Sequence, residues 1–139
     1  MRLMGLDIGS RTIGVAVSDP MGWTAQGITT IRRKSLEYDL IELEKIINDY
    51  NVEAFVLGLP LNMNGSSGEA VEKIKAMAVE LTGKFGLPVY YQDERLSTVS
   101  AHRALIEGDV SRKGRKKVVD KLAAVFILQT YLDNPKNVK

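Results

Sequence analysis

The hydrophobic period of this chain changes once, near residue 35, and that change limits the folds open to it. Before it, small, apolar and β-branched residues alternate in Leu3-Met4-Gly5-Leu6-Asp7-Ile8-Gly9, in Thr12-Ile13-Gly14-Val15-Ala16-Val17-Ser18 and in Gly27-Ile28-Thr29-Thr30-Ile31. A Ser10-Arg11 turn separates the first two runs, and Pro20 and Gly22 punctuate the second gap. Three short strands joined by hairpin-like turns fit this pattern. From Ser35 onward, Leu36, Leu40, Leu43, Ile46, Ile47 and Tyr50 fall at helical spacing with acids between them, which predicts an amphipathic helix over 36–50.

The remainder alternates strands with helices. Ala54 to Leu59 is a continuous apolar run stopped by Pro60, as expected of a strand covered on both faces. After a loop with Asn62, Asn64 and Gly65, Ser66 and Glu69 form a capping box for a helix to about Lys84, with Val71, Ile74, Ala78 and Leu81 as its buried stripe. Gly86 ends it, and Leu87 to Tyr91 reads as a strand. A helix from about Thr98 to Glu107, a glycine-containing basic segment at 108–116 and a last helix from Lys117 to Leu132 complete the chain. The order β-β-β-α-β-α-β-α-α predicts a mixed α/β sheet: an antiparallel hairpin sheet continued by parallel strands, with helices on both faces.

With 139 residues, 45% of them hydrophobic, one domain spanning 1–139 can bury an adequate core without disulfide or structural metal. The absence of cysteine excludes thiolate zinc sites, iron–sulfur clusters and a Cys nucleophile, and a lone His102, on a predicted helix, excludes multi-His metal sites. Any metal must then take oxygen ligands. The longest apolar run, Leu122 to Leu128, is far below the ~20 residues that span a bilayer, and no signal peptide opens the chain, so a soluble, cytoplasmic protein is expected. The net charge of +2 hides an asymmetry: residues 1–85 carry −2 and residues 86–139 carry +4, with Arg112, Lys113, Arg115, Lys116 and Lys117 clustered. Read alone, that cluster is either a solvated loop or a contact for a polyanion.

Three acids stand where carboxylates need a reason. Asp7 lies between Leu6 and Ile8 in an apolar strand; it is paired, ligated or on a solvated face, since bare burial costs several kcal/mol. Glu94 follows a strand end, where open α/β sheets place ligand crevices, although Asp93-Glu94-Arg95 is also an ordinary turn into a helix. Asp120, in the first turn of the last helix, is favoured there by the dipole, yet shares its face with Ala123, Ala124 and Ile127. The three could converge on one oxygen-ligand site for Mg²⁺ or Mn²⁺.

Four blocks now carry a family resemblance: Leu6-Asp7-Ile8-Gly9-Ser10-Arg11-Thr12 continuing to Asp19, Gly58-Leu59-Pro60-Leu61-Asn62 continuing to Ser66, Asp93-Glu94-Arg95-Leu96-Ser97-Thr98, and Asp120-Lys121-Leu122-Ala123-Ala124. In this order and at these intervals they resemble the YqgF family, also called RuvX, whose bacterial members are named as pre-16S rRNA nucleases and, earlier, as Holliday junction resolvases. Asn64 stands where some relatives have Asp. The resemblance implies an RNase H-like fold with a five-stranded mixed sheet whose first three strands are antiparallel. It also implies a catalytic metal triad of Asp7, Glu94 and Asp120.

The mechanism so implied is metal-dependent phosphodiester hydrolysis, with Asp7 bridging two ions roughly 4 Å apart and Glu94 and Asp120 holding one each. Cleavage leaves a 5′-phosphate and a 3′-hydroxyl. Arg11, Arg95 and the 112–117 cluster are then candidates for gripping the phosphate backbone, with Gly108 and Gly114 making a flap that orders on substrate. Asp93, Ser10 and Thr98 are expected beside the metal site, and Ser10, Ser97 and Thr98 are equally good turn and cap residues. The substrate is a structured rRNA precursor, with ribosomal particles as a further partner, or a four-way DNA junction; the latter requires a homodimer, whereas rRNA cleavage is open to a monomer. Two other readings are a non-catalytic RNA-binding or ribosome-assembly module, and one lobe of the actin, Hsp70 and sugar-kinase superfamily, to which Asp7-Ile8-Gly9-Ser10 is similar.

Overall fold

The computed structural model describes residues 1–60, 68–93 and 112–134; at 112–120 it describes the helical backbone without the side chains. Its elements are β1 (Leu3–Ile8), β2 (Thr12–Ser18), β3 (Ala25–Arg32), α1 (Leu36–Tyr50), β4 (Ala54–Leu59), α2 (Glu69–Phe85), β5 (Val89–Asp93) and α3 (Arg112–Asp133). The strands form one sheet in the order β3-β2-β1-β4-β5. β1–β2 and β2–β3 pair antiparallel, whereas β1–β4 and β4–β5 pair parallel. The expected mixed sheet, with its first three strands antiparallel, is what the chain forms.

Strand alternation divides the core in two. Met4 and Leu6 of β1 and Phe55 and Leu57 of β4 point to one face, where Leu40, Leu43 and Ile47 of α1 and Ile74, Met77 and Leu81 of α2 cover them. Leu3, Ala54 and Val56 point to the other, against Ala124, Ile127, Leu128 and Leu132 of α3. α3 comes unusually close to the sheet because β1 has no side chain where they meet: a Cβ on Gly5 would lie 2.7 Å from the Leu128 Cβ and 3.1 Å from the Ala124 carbonyl oxygen. Helices on both faces were expected, and the tightness of this contact depends on Gly5 together with Ala123 and Ala124.

Four local expectations are corrected. The N-cap of α2 is Gly68, without a side-chain cap. The helix therefore begins at Glu69, the last residue of the proposed capping box, and Ser66 lies outside the described residues. α3 begins at Arg112, so residues 112–117 form its first turns rather than the end of a basic loop, and Gly114 is helical rather than a flap hinge; Gly108 lies outside the described residues. Nothing breaks the helix there, because one glycine costs only about 1 kcal/mol. Asp120 consequently sits in the third turn of α3, beyond the reach of the dipole that falls off within the first. Finally, Asp39, one of the acids between the apolar positions of the amphipathic α1, is buried with them, 1% exposed. The predicted helix at 98–107 and the loop at 61–67 lie outside the described residues.

Candidate active site

Because β1, β4 and β5 are parallel, their carboxyl ends fall along one edge of the sheet. There Asp7, the penultimate residue of β1, pairs with Gly14 of β2, and Leu59 at the end of β4 pairs with Asp93 at the end of β5. Asp7 has the parity of Leu3 and Gly5, which places it on the α3 face, half-buried. Asp93 is exposed, and Glu94, the residue after it, lies outside the described residues with Arg95 and Thr98.

α3 runs against β1 and brings Asp120 to the same edge. Gln129, near its end, accepts from the amide of Ala25 (2.9 Å) at the start of β3 and donates to the Trp23 carbonyl (3.1 Å). Two turns earlier, the Lys121 side chain lies over Gly27, further along β3. The amino-terminal turns of α3 thus point towards the carboxyl ends of β1, β4 and β5. From the contact of Gly5 with Ala124, Asp7 lies two strand residues further on, about 6.6 Å. Asp120 lies four helix residues in the same direction, about 6 Å. The equal advance brings the two backbone positions level, on a helix whose Ala123, Ala124 and Ile127 are buried against the sheet. Arg112, Lys113, Arg115, Lys116 and Lys117 occupy the turns before it.

The turn after Asp7 is held by an ion pair that the sequence did not reveal. The Gly9 amide donates to the Thr12 carbonyl (2.8 Å), and the Arg33 amide to the Arg11 carbonyl (2.8 Å). The Arg33 side chain donates from Nη1 to the Gly9 carbonyl (2.8 Å) and from Nε to Asp39 (2.9 Å). Asp39 also accepts from the Lys34 amide (3.3 Å), so a buried carboxylate on α1 fixes the chain that follows β3 and, through it, the turn beside Asp7. The signal in the sequence was the triplet Arg32-Arg33-Lys34 four residues before an acidic helix start. Ser10 and Arg11 are exposed at the tip of this turn.

The donor set is chemically uniform. Asp7 and the two acids expected to join it offer only carboxylate oxygens, a set suited to a hard divalent cation such as Mg²⁺ or Mn²⁺ and unsuited to soft metals. Among the described residues no group of three potential ligands is assembled, Glu94 and the Asp120 side chain not being among them. Also among the described residues, no helix is long and apolar enough to cross a membrane.

The fold is RNase H-like, the class to which nucleic-acid resolvases of similar structure belong. The fowlpox virus resolvase in complex with Holliday junction DNA superposes with a TM-score of 0.56 at 12% identity, over 96% of this chain and 100% of that one. T. thermophilus RuvC in complex with a Holliday junction substrate gives 0.51 at 12% identity, over 94% and 96%. At such identities the likeness is one of fold. Sequence defines the family: the RuvX model, described as Holliday junction resolvase, matches residues 1–134, and the chain belongs to the RuvX family. A Moorella thermoacetica protein named "Putative pre-16S rRNA nuclease" is 56% identical over 133 residues, 96% of this chain and 95% of its own length. A Clostridium tetani protein of the same name is 54% identical over 137 residues, 99% of each.

Proposed function

We propose that this chain is a divalent-metal-dependent endonuclease that hydrolyses phosphodiester bonds in the 5′-end maturation of pre-16S rRNA, in the cytoplasm and in association with ribosomal particles. The observation that carries the reading is the level placement of Asp7 on β1 and position 120 on α3, at the edge where β5 delivers the chain to Glu94. The names of the Moorella and Clostridium relatives support the substrate.

In this reading Asp7, Glu94 and Asp120 hold Mg²⁺ or Mn²⁺, with Asp93, Ser10 and Thr98 beside them. When bound, the metal lowers the pKa of a water and stabilises the leaving oxygen. The chain's own part is positioning. Asp7 is fixed by its pairing with Gly14 of β2, Asp120 by a helix pinned at Gly5, and Arg11, Arg95, Arg112, Lys113, Arg115, Lys116 and Lys117 attract and orient the phosphate backbone. No protein base is required.

The test is cleavage of a 5′-extended 16S precursor and of a four-way DNA junction with Mg²⁺ or Mn²⁺, by the unmodified protein and by Asp7→Asn. Cleavage of the precursor that Asp7→Asn loses by at least a hundredfold is expected. Equal rates for the two proteins would remove Asp7 from the site. The fold likeness to resolvases supports junction cleavage as the second reading, and a preference for the junction by a dimer would favour it. Salt-sensitive binding indifferent to Mg²⁺, with no cleavage of either substrate, would leave a binding module.

A further inference from the structure

On the sheet face opposite α3, a groove of about 620 Å³ opens beside the turn that follows Asp7. Ile8, Ile74 and Met77 form its apolar floor, and Gly9, Ser10, Arg33 and Lys73 line it. It is continuous, through Ser10, Arg33 and Lys73, with a second hollow of about 420 Å³ that adds Lys34 and Ser35. Two further exposed cations lie at the same sheet edge outside these linings: Arg11 on the turn, and Arg32, which pairs with Thr12 at the end of β3 and, next to the buried Ile31, alternates to the α3 face. Five cations from three separate stretches of sequence thus gather at the edge that carries Asp7. Acids also line it: Glu69 the groove, its carboxylate 3.9 Å from Lys73, and Asp39 the second hollow, buried and bonded to Arg33, while Glu42 on α1 interacts electrostatically with Lys34.

We infer that this groove is a seat for the phosphodiester backbone of the substrate strand, held by Lys34 and Lys73 on either side of Arg33 and leading past Ser10 to Asp7. The inference deepens the nuclease reading and rests on it. Arg33 is committed to Asp39 and Gly9, so its charge is fixed in place as the groove's wall. Lys34 and Lys73 are different. Lys34 lies 4.6 Å over the Tyr38 ring, and among the described residues Lys73 makes an exposed contact with Glu69 one helical turn away; neither interaction is strong enough at the surface to hold an ammonium from a phosphate. An apolar floor between cations suits a polymer whose charged phosphates alternate with sugars.

The salt dependence of binding reads phosphate contacts directly, because each one contributes about 0.7–0.9 to the slope of log affinity against log salt. The probes are a short RNA duplex and a DNA duplex of equal length, bound without divalent ion, with inorganic phosphate as competitor. Lys34→Gln/Lys73→Gln is expected to lower the slope by about 1.5 while its melting temperature stays within a few degrees of the unmodified protein. Lys84→Gln, at the far end of α2, is expected to leave the slope unchanged. A double variant that binds with the unmodified slope overturns the groove and leaves the nuclease reading standing. Competition by inorganic phosphate as strong, per phosphate, as by the duplex overturns a polymer seat in favour of a small-anion site. Failure of the unmodified protein to bind either duplex overturns both readings. The stronger of the two duplexes identifies the polymer.

Discussion

Arg33 and Asp39 form a 2.9 Å ion pair in which the carboxylate is almost wholly buried while the guanidinium side chain retains about a quarter of its exposure. This pair joins α1 to the turn that follows Asp7, so stability and site geometry meet in it. Removing one partner of a buried pair typically costs about 3–5 kcal/mol, because the other charge is left unpaired. Partial exposure of Arg33 lets water take over some of the loss. Asp39→Ala is expected to lower stability by about 2–3 kcal/mol in urea unfolding, and to reduce cleavage at temperatures where the protein is still fully folded.

The close passage of α3 over β1 predicts a contrast between two glycines. At Gly5 the obstructing atoms are a Cβ and a backbone carbonyl of the helix, which move only if the helix does. Gly5→Ala is expected to cost about 1–3 kcal/mol as overpacking and to lower kcat further by displacing Asp120 relative to Asp7. At Gly27 the obstruction is the flexible side chain of Lys121, which can swing away. Gly27→Ala is expected to change the melting temperature by no more than a few degrees and to leave cleavage intact. Equal effects at the two sites would remove the helix contact as a determinant of the site.

Asp19 caps the turn between β2 and β3. The amide of Thr24 holds its carboxyl below the usual carboxylate range, helped by the amides of Trp23 and Met21 and the Thr24 hydroxyl, and opposed by partial desolvation. A carboxylate with a lowered folded pKa stabilises the fold above its unfolded pKa, and that contribution is lost as pH falls through the folded value. Urea unfolding between about pH 6 and pH 3 should therefore show a shallower loss of stability in Asp19→Asn than in the unmodified protein. Parallel pH profiles would show that the turn contributes nothing.

The proposed metal binding has a readout independent of cleavage. A ligand that binds only the folded state raises stability with concentration. Mn²⁺ titration is expected to raise the melting temperature of the unmodified protein, and EDTA to reverse the rise. Asp7→Asn and Asp120→Asn should each lose it. A rise that persists in both variants would place the ion elsewhere.

Much of the architecture was legible from local pattern. The limits of α1 at 36 and 50 and of β4 at 54 and 59 match the structure, because the helical stripe and the Pro60 stop are each decided within a few residues. The αL cap at Gly86, with φ of 67°, follows from the one residue that adopts that conformation freely. The beginnings of α2 and α3 were misread for the complementary reason. Capping residues and glycines only bias a boundary, and Gly114 is carried inside a helix whose remaining turns are stabilised by packing.

The sequence by itself determined the order of the described strands and helices and, through its four blocks, the family, and its lack of cysteine points any metal to oxygen ligands. Each of these depends on residue type and spacing along the chain. Only the tertiary structure decided that Asp39 is buried against Arg33, that Gly5 admits α3 close enough to bring position 120 level with Asp7, and that Arg11, Arg32, Arg33, Lys34 and Lys73 share one edge. Those relationships join residues distant in sequence, some of them over a hundred positions apart. They are set by strand register and by how closely a helix can approach a sheet, which no single stretch of the chain encodes.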